Sequence, residues 1–338
     1  MKKHIGLKDI AEKTGFSIKT VSRAINDHPD VNAKTRKKIL SVANEFSYYP
    51  NMVAKSLRTK KAFTIGFIVP DIASEFFGKL GIVLEKEFRK HGYSLLISFT
   101  EESEENEINS LKILLAKRVD GIVLASVGTT GEFLKKVINQ YRIPVVVIDN
   151  REVGVKTNLV IHDNLNGAYL LTKHLLEHGH RRIACITGPL EETSGKERLL
   201  GYQKALEEYN VPVDDDLIEV SNWRVDGGYD SMFRLIENAG QRPSALFIGN
   251  SMMAIGVYKA LRKMELKIPD DMALVSFDNF EYTEAIEPPL TTLDKVEEEI
   301  GKAASELLLE KIHNKDVKNI TVHLVKAKLI IRKSCGCE

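Results

Sequence analysis

Short apolar runs alternate with stretches of helical periodicity from residue 63 onward, and this alternation restricts the fold more than any other feature. The runs are rich in β-branched residues and lack polar alternation, as expected of parallel strands buried on both faces. Two successive series of strands and helices predict an α/β protein with two doubly wound parallel-sheet lobes. The predicted strands are 63–69, 93–99, 121–125 and 145–148, then 183–186, 245–248 and 273–277. The predicted helices are at about 75–91, 104–118, 131–141, 165–179, 195–209, 227–239 and 251–265.

Charge is distributed unevenly along the chain. Residues 1–60 carry 13 Lys and Arg against five Asp and Glu, although the net charge of the whole chain is only +1. A basic segment joined to an acidic remainder favours binding to nucleic acid, although a solvated lysine-rich surface would give the same bias. The chain has three cysteines, no apolar run of the roughly 18 residues that span a bilayer, and no signal-peptide pattern. These features predict a protein of the reducing cytoplasm with no membrane partner.

Residues 7–26 have the pattern of a helix-turn-helix. Apolar residues recur at helical spacing before Gly15, which can take the left-handed conformation of a tight turn. Ser17 can then cap a second helix, whose Val21 and Ile25 can pack against the first. The second helix would expose residues able to reach base edges and phosphates, namely Ile18, Lys19, Ser22 and Arg23.

Two further helical segments follow. Asn32 can cap a third helix, which ends before Tyr48-Tyr49-Pro50. Residues 51–58 then offer about two turns of helix, which are too short to be stable alone in water. Asn51 can cap this short helix, while Val53, Ala54 and Leu57 share one of its faces. A helix that forms only when it pairs with its symmetry mate on DNA fits this pattern.

The segments LKDIAEKTGFSIKTVSRAINDHPDVNAKTRKKIL and YYPNMVAKSLRTKKAFTIGFIVPDI resemble the lac repressor/galactose repressor (LacI/GalR) family of transcription regulators, and the resemblance continues along essentially the whole chain. It implies a homodimer that binds a pseudo-palindromic double-stranded operator and responds to a small-molecule effector. By this resemblance, Ile18 and Lys19 select bases, Arg23 contacts base and backbone, and Thr20 and Ser22 contact phosphates. Leu57 matches a hinge leucine that inserts into the minor groove and kinks the duplex, within the hinge that also contains Asn51 and Ala54. Ile18 and Leu57 could instead be packing residues.

The remainder of the chain resembles periplasmic sugar-binding proteins, through phrases such as VPDIASEFFGKL, IPVVVIDN and PSALFIGNSMMAIGVYKAL. The implied architecture is a helical head followed by a periplasmic-binding-protein-like core. We expect a helix-turn-helix domain at 1–49, a hinge helix and linker at 50–61, and a ligand-binding core at 62–338. The core would consist of one lobe at about 62–162 and 291–324 and a second at about 163–290 and 325–338.

Eight residues are candidates for contact with an effector in the cleft between the lobes. Most lie where a predicted strand ends, and side chains at the carboxyl ends of parallel strands face the crevice. The family resemblance implies that Arg198 holds effector oxygens and that Trp223, the one tryptophan of the chain, packs on a sugar ring. The set comprises Asp71, Phe76, Phe77, Asp149, Arg198, Trp223, Asn250 and Asp278.

Each candidate has a plainer interpretation. Asp278 could cap the next helix, either phenylalanine could be core, Trp223 could pack at the rim, and Arg198 could form a surface ion pair. The chain also departs from relatives at two positions. Glu192 stands where purine-responsive members carry an arginine, which weakens a nucleobase interpretation, and Ser251 follows Asn250 where many members have Asp.

We found no catalytic motif, and we expect no cofactor and no metal. His174, His178 and His180 are typical of a structural helix end in the family, and Cys335-Gly336-Cys337 of an inert tail, although a metal or redox role for the cysteines stays open. The tail has no leucine heptad, so a dimer is expected rather than a tetramer. The expected function is a repressor of carbohydrate-utilisation genes controlled by a sugar-like effector. The alternatives are a catabolite-control regulator with a phosphoprotein co-regulator, a sugar-binding transport protein, and an enzyme.

Overall fold

The computed structural model describes residues 5–49, 56, 59, 61–152, 154–238, 240–314 and 319–337. The chain divides into two compact units, residues 1–62 and residues 63–338, which we call the head and the core. Within the described residues, no helix is both long enough and apolar enough to cross a bilayer. The expected hinge helix at 50–61 lies almost entirely outside the described residues.

Residues 5–49 of the head form three helices, as predicted: α1 (Leu7–Thr14), α2 (Ile18–Ile25) and α3 (Ala33–Glu45). Ile10, Val21 and Ile39, one from each helix, are completely buried against one another in its core. Gly15 turns the chain between α1 and α2 with a φ of +75°, a conformation that favours glycine. The Ser17 hydroxyl oxygen caps α2 by accepting a hydrogen bond from the Thr20 amide at 3.1 Å.

The first lobe of the core contains a six-stranded sheet in which all neighbouring strands are parallel. The order of strands is β11-β5-β4-β3-β1-β2. The strands are β1 (Thr64–Val69), β2 (Ser94–Phe99), β3 (Gly121–Ala125), β4 (Val145–Ile148), β5 (Asn158–His162) and β11 (Val322–Val325). The helices of this lobe are α4 (Glu75–Lys90), α5 (Glu104–Ala116), α6 (Gly131–Asn139) and α12 (Glu297–His313).

The second lobe repeats this plan with the strand order β12-β10-β9-β8-β6-β7, in which only β12 runs antiparallel to its neighbour. Its strands are β6 (Ile183–Thr187), β7 (Ile218–Val220), β8 (Ala245–Ile248), β9 (Ala273–Ser276), β10 (Thr291–Leu293) and β12 (Leu329–Ile330). Its helices are α7 (Asn164–Glu177), α8 (Thr193–Glu208), α9 (Val225–Asn238), α10 (Ser251–Lys263) and α11 (Glu281–Ala285).

The two predicted α/β lobes are confirmed, and the seven predicted strands agree with the structure to within one residue at each end. The structure differs at one lobe boundary. The sequence places residues 291–293 in the first lobe, but they form β10 of the second sheet, because Thr291 and Thr292 pair with Val275 and Ser276 of β9. Among the described residues, the chain passes between the sheets three times, after β5, β10 and β11.

Candidate operator-contact helix and inter-lobe cavity

Helix α2 presents a polar face to solvent because its apolar side is held in the head. Val21 and Ala24 are buried, whereas Ile18 is 50% exposed and Lys19 is exposed. An exposed isoleucine beside an exposed lysine, on a helix that needs neither for its own packing, suits contact with the edges of base pairs. Ile18 is not among the packed core residues in the described part of the head, and its contact with bases stays a prediction.

The other α2 candidates already make contacts of their own. Thr20 Oγ1 lies 2.9 Å from Ser17 Oγ at the helix cap. The Arg23 Nη1 atom lies 3.5 Å from Asp30 Oδ2, and both side chains are substantially exposed, so this ion pair is weak and can yield to a phosphate. Ser22 is half-buried on the same helix. Asn51, Ala54 and Leu57 lie outside the described residues, and their predicted roles stay predictions.

The eight effector candidates line a single cavity of about 100 Å³ in the core. Four come from the first lobe and four from the second. They meet because β1, β4, β8 and β9 all point their carboxyl ends at the cleft, as the rule for open parallel sheets requires. Further lining residues were not predicted from the sequence. Those with polar or charged side chains are Ser74, Glu102, His162, Glu192, Ser194 and Arg224, and the apolar ones are Pro70 and Met252.

Arg198 lies at the centre of the second-lobe side of the cavity, on α8. Its Nε donates to Asn164 Oδ1 at 2.9 Å, and its Nη1 donates to the Gly249 carbonyl. The guanidinium stacks over Phe277 at 3.8 Å from the ring centroid and is only 6% exposed as a residue. These contacts hold the plane of the guanidinium in one orientation, so that it can present its remaining N–H groups to ligand oxygens.

Trp223 is held in a fixed orientation at the cavity wall. Its indole Nε1 donates to Glu192 Oε2 at 3.0 Å, and its carbonyl accepts from Asn250 Nδ2 at 2.9 Å. The ring lies against Gly188, where an added Cβ would come within 2.0 Å of the indole, so only glycine fits there. Trp223 itself has a φ of +62°, a backbone strain of order 1–3 kcal/mol that is characteristic of functional sites.

Asn250 and Asp278 combine a place in the cavity wall with local structural contacts. Asn250 Oδ1 caps α10 by accepting from the Met253 amide at 2.8 Å. Asp278 Oδ2 accepts from the Ser251 amide at 3.3 Å, so it contributes to the same helix terminus. The interpretation of Asp278 as the cap of the next helix is wrong, because α11 has no side-chain cap and Asp278 instead bonds to the start of the earlier helix α10 while it lines the cavity.

The two phenylalanines divide between core and cavity. Phe77 is buried in the main hydrophobic core of the molecule, and Phe76 is half-buried and packs against it. Their rings meet edge to face, with centroids 5.1 Å apart, and both border the cavity. Asp71, just before them, is exposed and accepts a hydrogen bond from the Ala73 amide at 2.8 Å.

The cavity is acidic, because five carboxyl groups and two guanidinium groups line it. Burial, with the nearby carboxylates of Glu192 and Asp149, raises the pKa of Glu102 to about 8. Burial and Asp149 raise the pKa of Glu192 to about 7, and burial raises the pKa of Asp149 to about 6. Burial also raises the pKa of Asp278. Protonation of some of these carboxyls near neutral pH relieves the repulsion between them.

His162 is the clearest ligand-facing residue that the sequence analysis missed. It ends β5, is 7% exposed, and its Nδ1 atom is buried without a hydrogen-bond partner among the described residues. Its ring packs edge to face on Phe277, and burial, followed by the charge of Arg198, lowers its pKa to about 3. A neutral imidazole with a free nitrogen suits a hydroxyl group. Recognition of β5 as a strand would have placed it at the cleft.

Hydrogen bonds and ion pairs cross the cleft on both sides of the cavity. Asn150 of the first lobe donates to Glu192 at 2.9 Å and accepts from the Ser194 amide at 2.9 Å. On the other side, Lys79 Nζ of α4 lies 2.9 Å from Glu281 Oε1 of α11. Changes in the distance between the lobes must break or remake these contacts.

Comparison with known families gives two matches within the chain. Residues 6–51 match the family of bacterial regulatory proteins called the lacI family. Residues 172–335 match the periplasmic binding protein-like domain. The first match covers the three helices of the head, and the second covers most of the second lobe together with α12 and the C-terminal strands.

Full-length relatives agree with both matches. The ribose operon repressor of Escherichia coli strain K12 is 34% identical over 307 residues, which are 90% of this chain and 92% of that protein. The HTH-type transcriptional repressor PurR of Vibrio atlanticus strain LGP32 is 34% identical over 310 residues, 92% of each protein. The crystal structure of the lac repressor dimer bound to operator and the anti-inducer ONPF superposes with a TM-score of 0.86 at 27% identity, over 98% of this chain and 99% of that one.

Proposed function

The chain belongs to the lacI family of bacterial regulatory proteins, and we propose that it acts as a homodimeric repressor of carbohydrate-utilisation genes. It is a DNA-binding transcriptional regulator. In our proposal each head binds half of a pseudo-palindromic operator through α2, and an unphosphorylated monosaccharide in the inter-lobe cavity sets the affinity for that operator. The observation that carries the proposal is the convergence of polar, charged and aromatic side chains from both lobes on one small cavity.

The size and chemistry of the cavity favour a single sugar ring. The cavity volume of about 100 Å³ is below the roughly 150 Å³ of a cavity that holds a benzene ring, so one sugar ring is the upper limit, and its entry requires the lobes to move apart. Trp223 offers a flat apolar face for the C–H side of such a ring. Carboxylate oxygens can accept from its hydroxyls while Arg198 donates to their oxygens. The two relatives named above are equally similar in sequence, so overall identity does not select the effector.

The charge of the cavity argues against phosphorylated and other anionic effectors. A phosphate would have to enter among five carboxyl groups with two guanidinium groups as partners. Some of these carboxyls are protonated near neutral pH, because burial raises the pKa values of Glu102 and Glu192, but each one that stays ionised repels a phosphate charge 4 Å away by about 4 kcal/mol at an effective dielectric constant of 20. A neutral polyol avoids this cost and still satisfies the polar wall.

Regulation follows from the contacts across the cleft. A bound sugar would add hydrogen bonds to both lobes and so favour one separation of the lobes over others. The sugar would then bind the protein more tightly in that arrangement of the lobes than in any other, and this difference in affinity shifts the population toward it. Dimerisation, as in the lac repressor dimer with its operator, would transmit the change to the paired heads. We infer a regulatory and not an enzymatic role, in the cytoplasm, because the full-length relatives are repressors.

A panel of sugars tests the proposal. Thermal unfolding of the full chain is followed with neutral pentoses and hexoses, including D-ribose, and with ribose 5-phosphate as a matched anionic partner. We expect a neutral sugar to raise the melting temperature, since a ligand that binds only the folded state stabilises it by mass action. The same sugar should change binding to an operator selected from randomised DNA.

Three results would contradict the proposal. A shift caused only by ribose 5-phosphate would overturn the charge argument. A change in operator affinity that needs a phosphoprotein and no free sugar would replace it with the catabolite-control alternative. Failure to retain any palindromic DNA at low salt would remove the repressor role.

A further inference from the structure

The second lobe contains a cluster of potential metal-binding side chains, none of which lines the effector cavity. His174 and His178 lie at the carboxyl end of α7, and Cys337 lies in the C-terminal tail. We propose that His174, His178 and Cys337 bind a thiophilic divalent cation of the zinc type. From the sequence we expect a structural helix end and an inert tail here, because 163 residues separate His174 from Cys337 and nothing local predicts their contact.

The distances fit tetrahedral coordination. One ligand atom from each of the three residues lies within 4.8 Å of the other two. The Nε2 atom of His174 and the Sγ atom of Cys337 are 3.5 Å apart. With Zn–N and Zn–S bonds of about 2.1 and 2.3 Å, the N···S edge of a tetrahedron is about 3.6 Å. The pair therefore needs almost no movement to share one ion.

The protonation of His178 is also suited to a ligand. Its Nδ1 lies 2.7 Å from the backbone carbonyl oxygen of His174. A carbonyl can only accept, so Nδ1 must carry the hydrogen, and in the neutral ring Nε2 then holds the lone pair. Donation of one ring N–H to a backbone carbonyl is the usual outer-sphere arrangement of a metal-binding histidine, because it fixes both tautomer and ring orientation.

The surroundings allow both entry of a cation and completion of its coordination. His174 is buried, Cys337 is half-buried and His178 is exposed, so one side of the cluster is open to solvent. The cluster lies at the carboxyl end of α7, where the helix dipole favours positive charge. Water from the open side is at hand for the fourth position, since the Cys335 thiol is engaged with the Thr291 hydroxyl and the Arg332 carbonyl.

Metal binding would fasten the tail to α7. The tail already joins the second sheet through Ser334, whose hydroxyl donates to the Leu274 carbonyl at 2.7 Å and accepts from the Thr291 amide at 2.8 Å. A coordinate link from Cys337 to His174 and His178 would connect this edge of the sheet to α7. The ion would thus stabilise the folded second lobe relative to the unfolded chain, since ligands that converge only in the folded state bind it preferentially.

Cobalt(II) serves as the spectroscopic probe, added to the reduced, metal-free full chain. We expect one equivalent to bind with a sulfur-to-cobalt charge-transfer band and the intense visible bands of tetrahedral cobalt, and zinc to displace it. Cys337→Ser should abolish the charge-transfer band and weaken binding by at least about 100-fold, because loss of an outer-sphere partner alone costs roughly 10–100-fold. His178→Gln should keep the sulfur band but weaken binding.

His323→Gln is the matched control, because His323 is a half-exposed histidine on β11 of the first lobe, paired with Glu299. It should bind cobalt as the unaltered chain does. Operator binding by each variant verifies that it has folded. The proposal is overturned if the folded chain binds no stoichiometric cobalt, if the sulfur band is absent, or if Cys337→Ser or His178→Gln binds as tightly as His323→Gln.

Discussion

Replacement of Arg198 by lysine tests the effector site most sharply, because it keeps the charge and removes the planar fork. In the structure, Nε and Nη1 of Arg198 are committed to Asn164 and Gly249, which leaves the remaining N–H groups for a ligand. The single ammonium of lysine cannot serve these acceptors and also a sugar oxygen. A hydrogen bond to a charged group contributes about 1.5–3 kcal/mol, so sugar affinity should fall by roughly 10- to 150-fold.

The assay is isothermal calorimetry with the sugar that most raises the melting temperature of the unaltered chain. Arg224→Lys is the matched control, because Arg224 lines the same cavity but is exposed, so its guanidinium contributes less. Operator binding without sugar should be retained by both variants. The reasoning is refuted if Arg198→Lys binds the sugar as tightly as the unaltered chain, or if both variants lose the same affinity.

Three further predictions concern the head, the hinge and the stability of the core. Lys19→Ala should alter base preference on randomised operators more than it alters salt dependence, since Lys19 is exposed on α2, and an unchanged preference profile would contradict this. Leu57→Ala should reduce operator bending, and unchanged bending in a phased gel-shift assay would remove the wedge role predicted for Leu57. Glu107 is completely buried beside Glu152, and burial raises its pKa to about 7, so the folded chain holds a proton that the unfolded chain releases above about pH 4.5. The contribution of Glu107 to the free energy of unfolding is thus lost as pH rises from about 4.5 to about 7, by roughly 3 kcal/mol. Glu107→Gln should therefore flatten the dependence of melting temperature on pH across that range. Parallel pH profiles of melting temperature for Glu107→Gln and the control Glu105→Gln would exclude this role of Glu107.

The sequence was sufficient for the plan of the core because strands buried on both faces leave an unbroken local pattern. The runs at 121–125, 145–148 and 245–248 match β3, β4 and β8 in both bounds. Once the sheets are parallel, strand ends converge, and residues such as Asp149 and Asp278 could be placed at the cleft without coordinates.

The features that the sequence did not predict depend on partners distant in the chain. β5 has only three apolar residues between Asn158 and His162, and it becomes a buried strand because β4 and β11 pair with its two edges. β10 and β12 are short and exist through pairing with each other and with β9. Because β5 was not predicted, His162 at its end was not recognised as a residue of the cavity.

Side-chain orientation was equally inaccessible from the sequence. Glu192 could be recognised as a departure from purine-responsive relatives, but its hydrogen bond to Trp223 depends on where two loops meet. The contact between His174 and Cys337 likewise exists only because the tail returns to α7.

The central claim is that a ligand in the cavity between the lobes sets the affinity of the head for its operator. The most direct measurement is a fluorescence-anisotropy titration of a selected operator with the full chain, with and without a saturating sugar, for the unaltered protein and for Arg198→Lys at the same sugar concentration. The account predicts a change in operator affinity of roughly 5- to 150-fold for the unaltered chain and a much smaller change for the variant. Identical operator affinities for the unaltered chain, with and without a sugar that calorimetry shows to be bound, would contradict it.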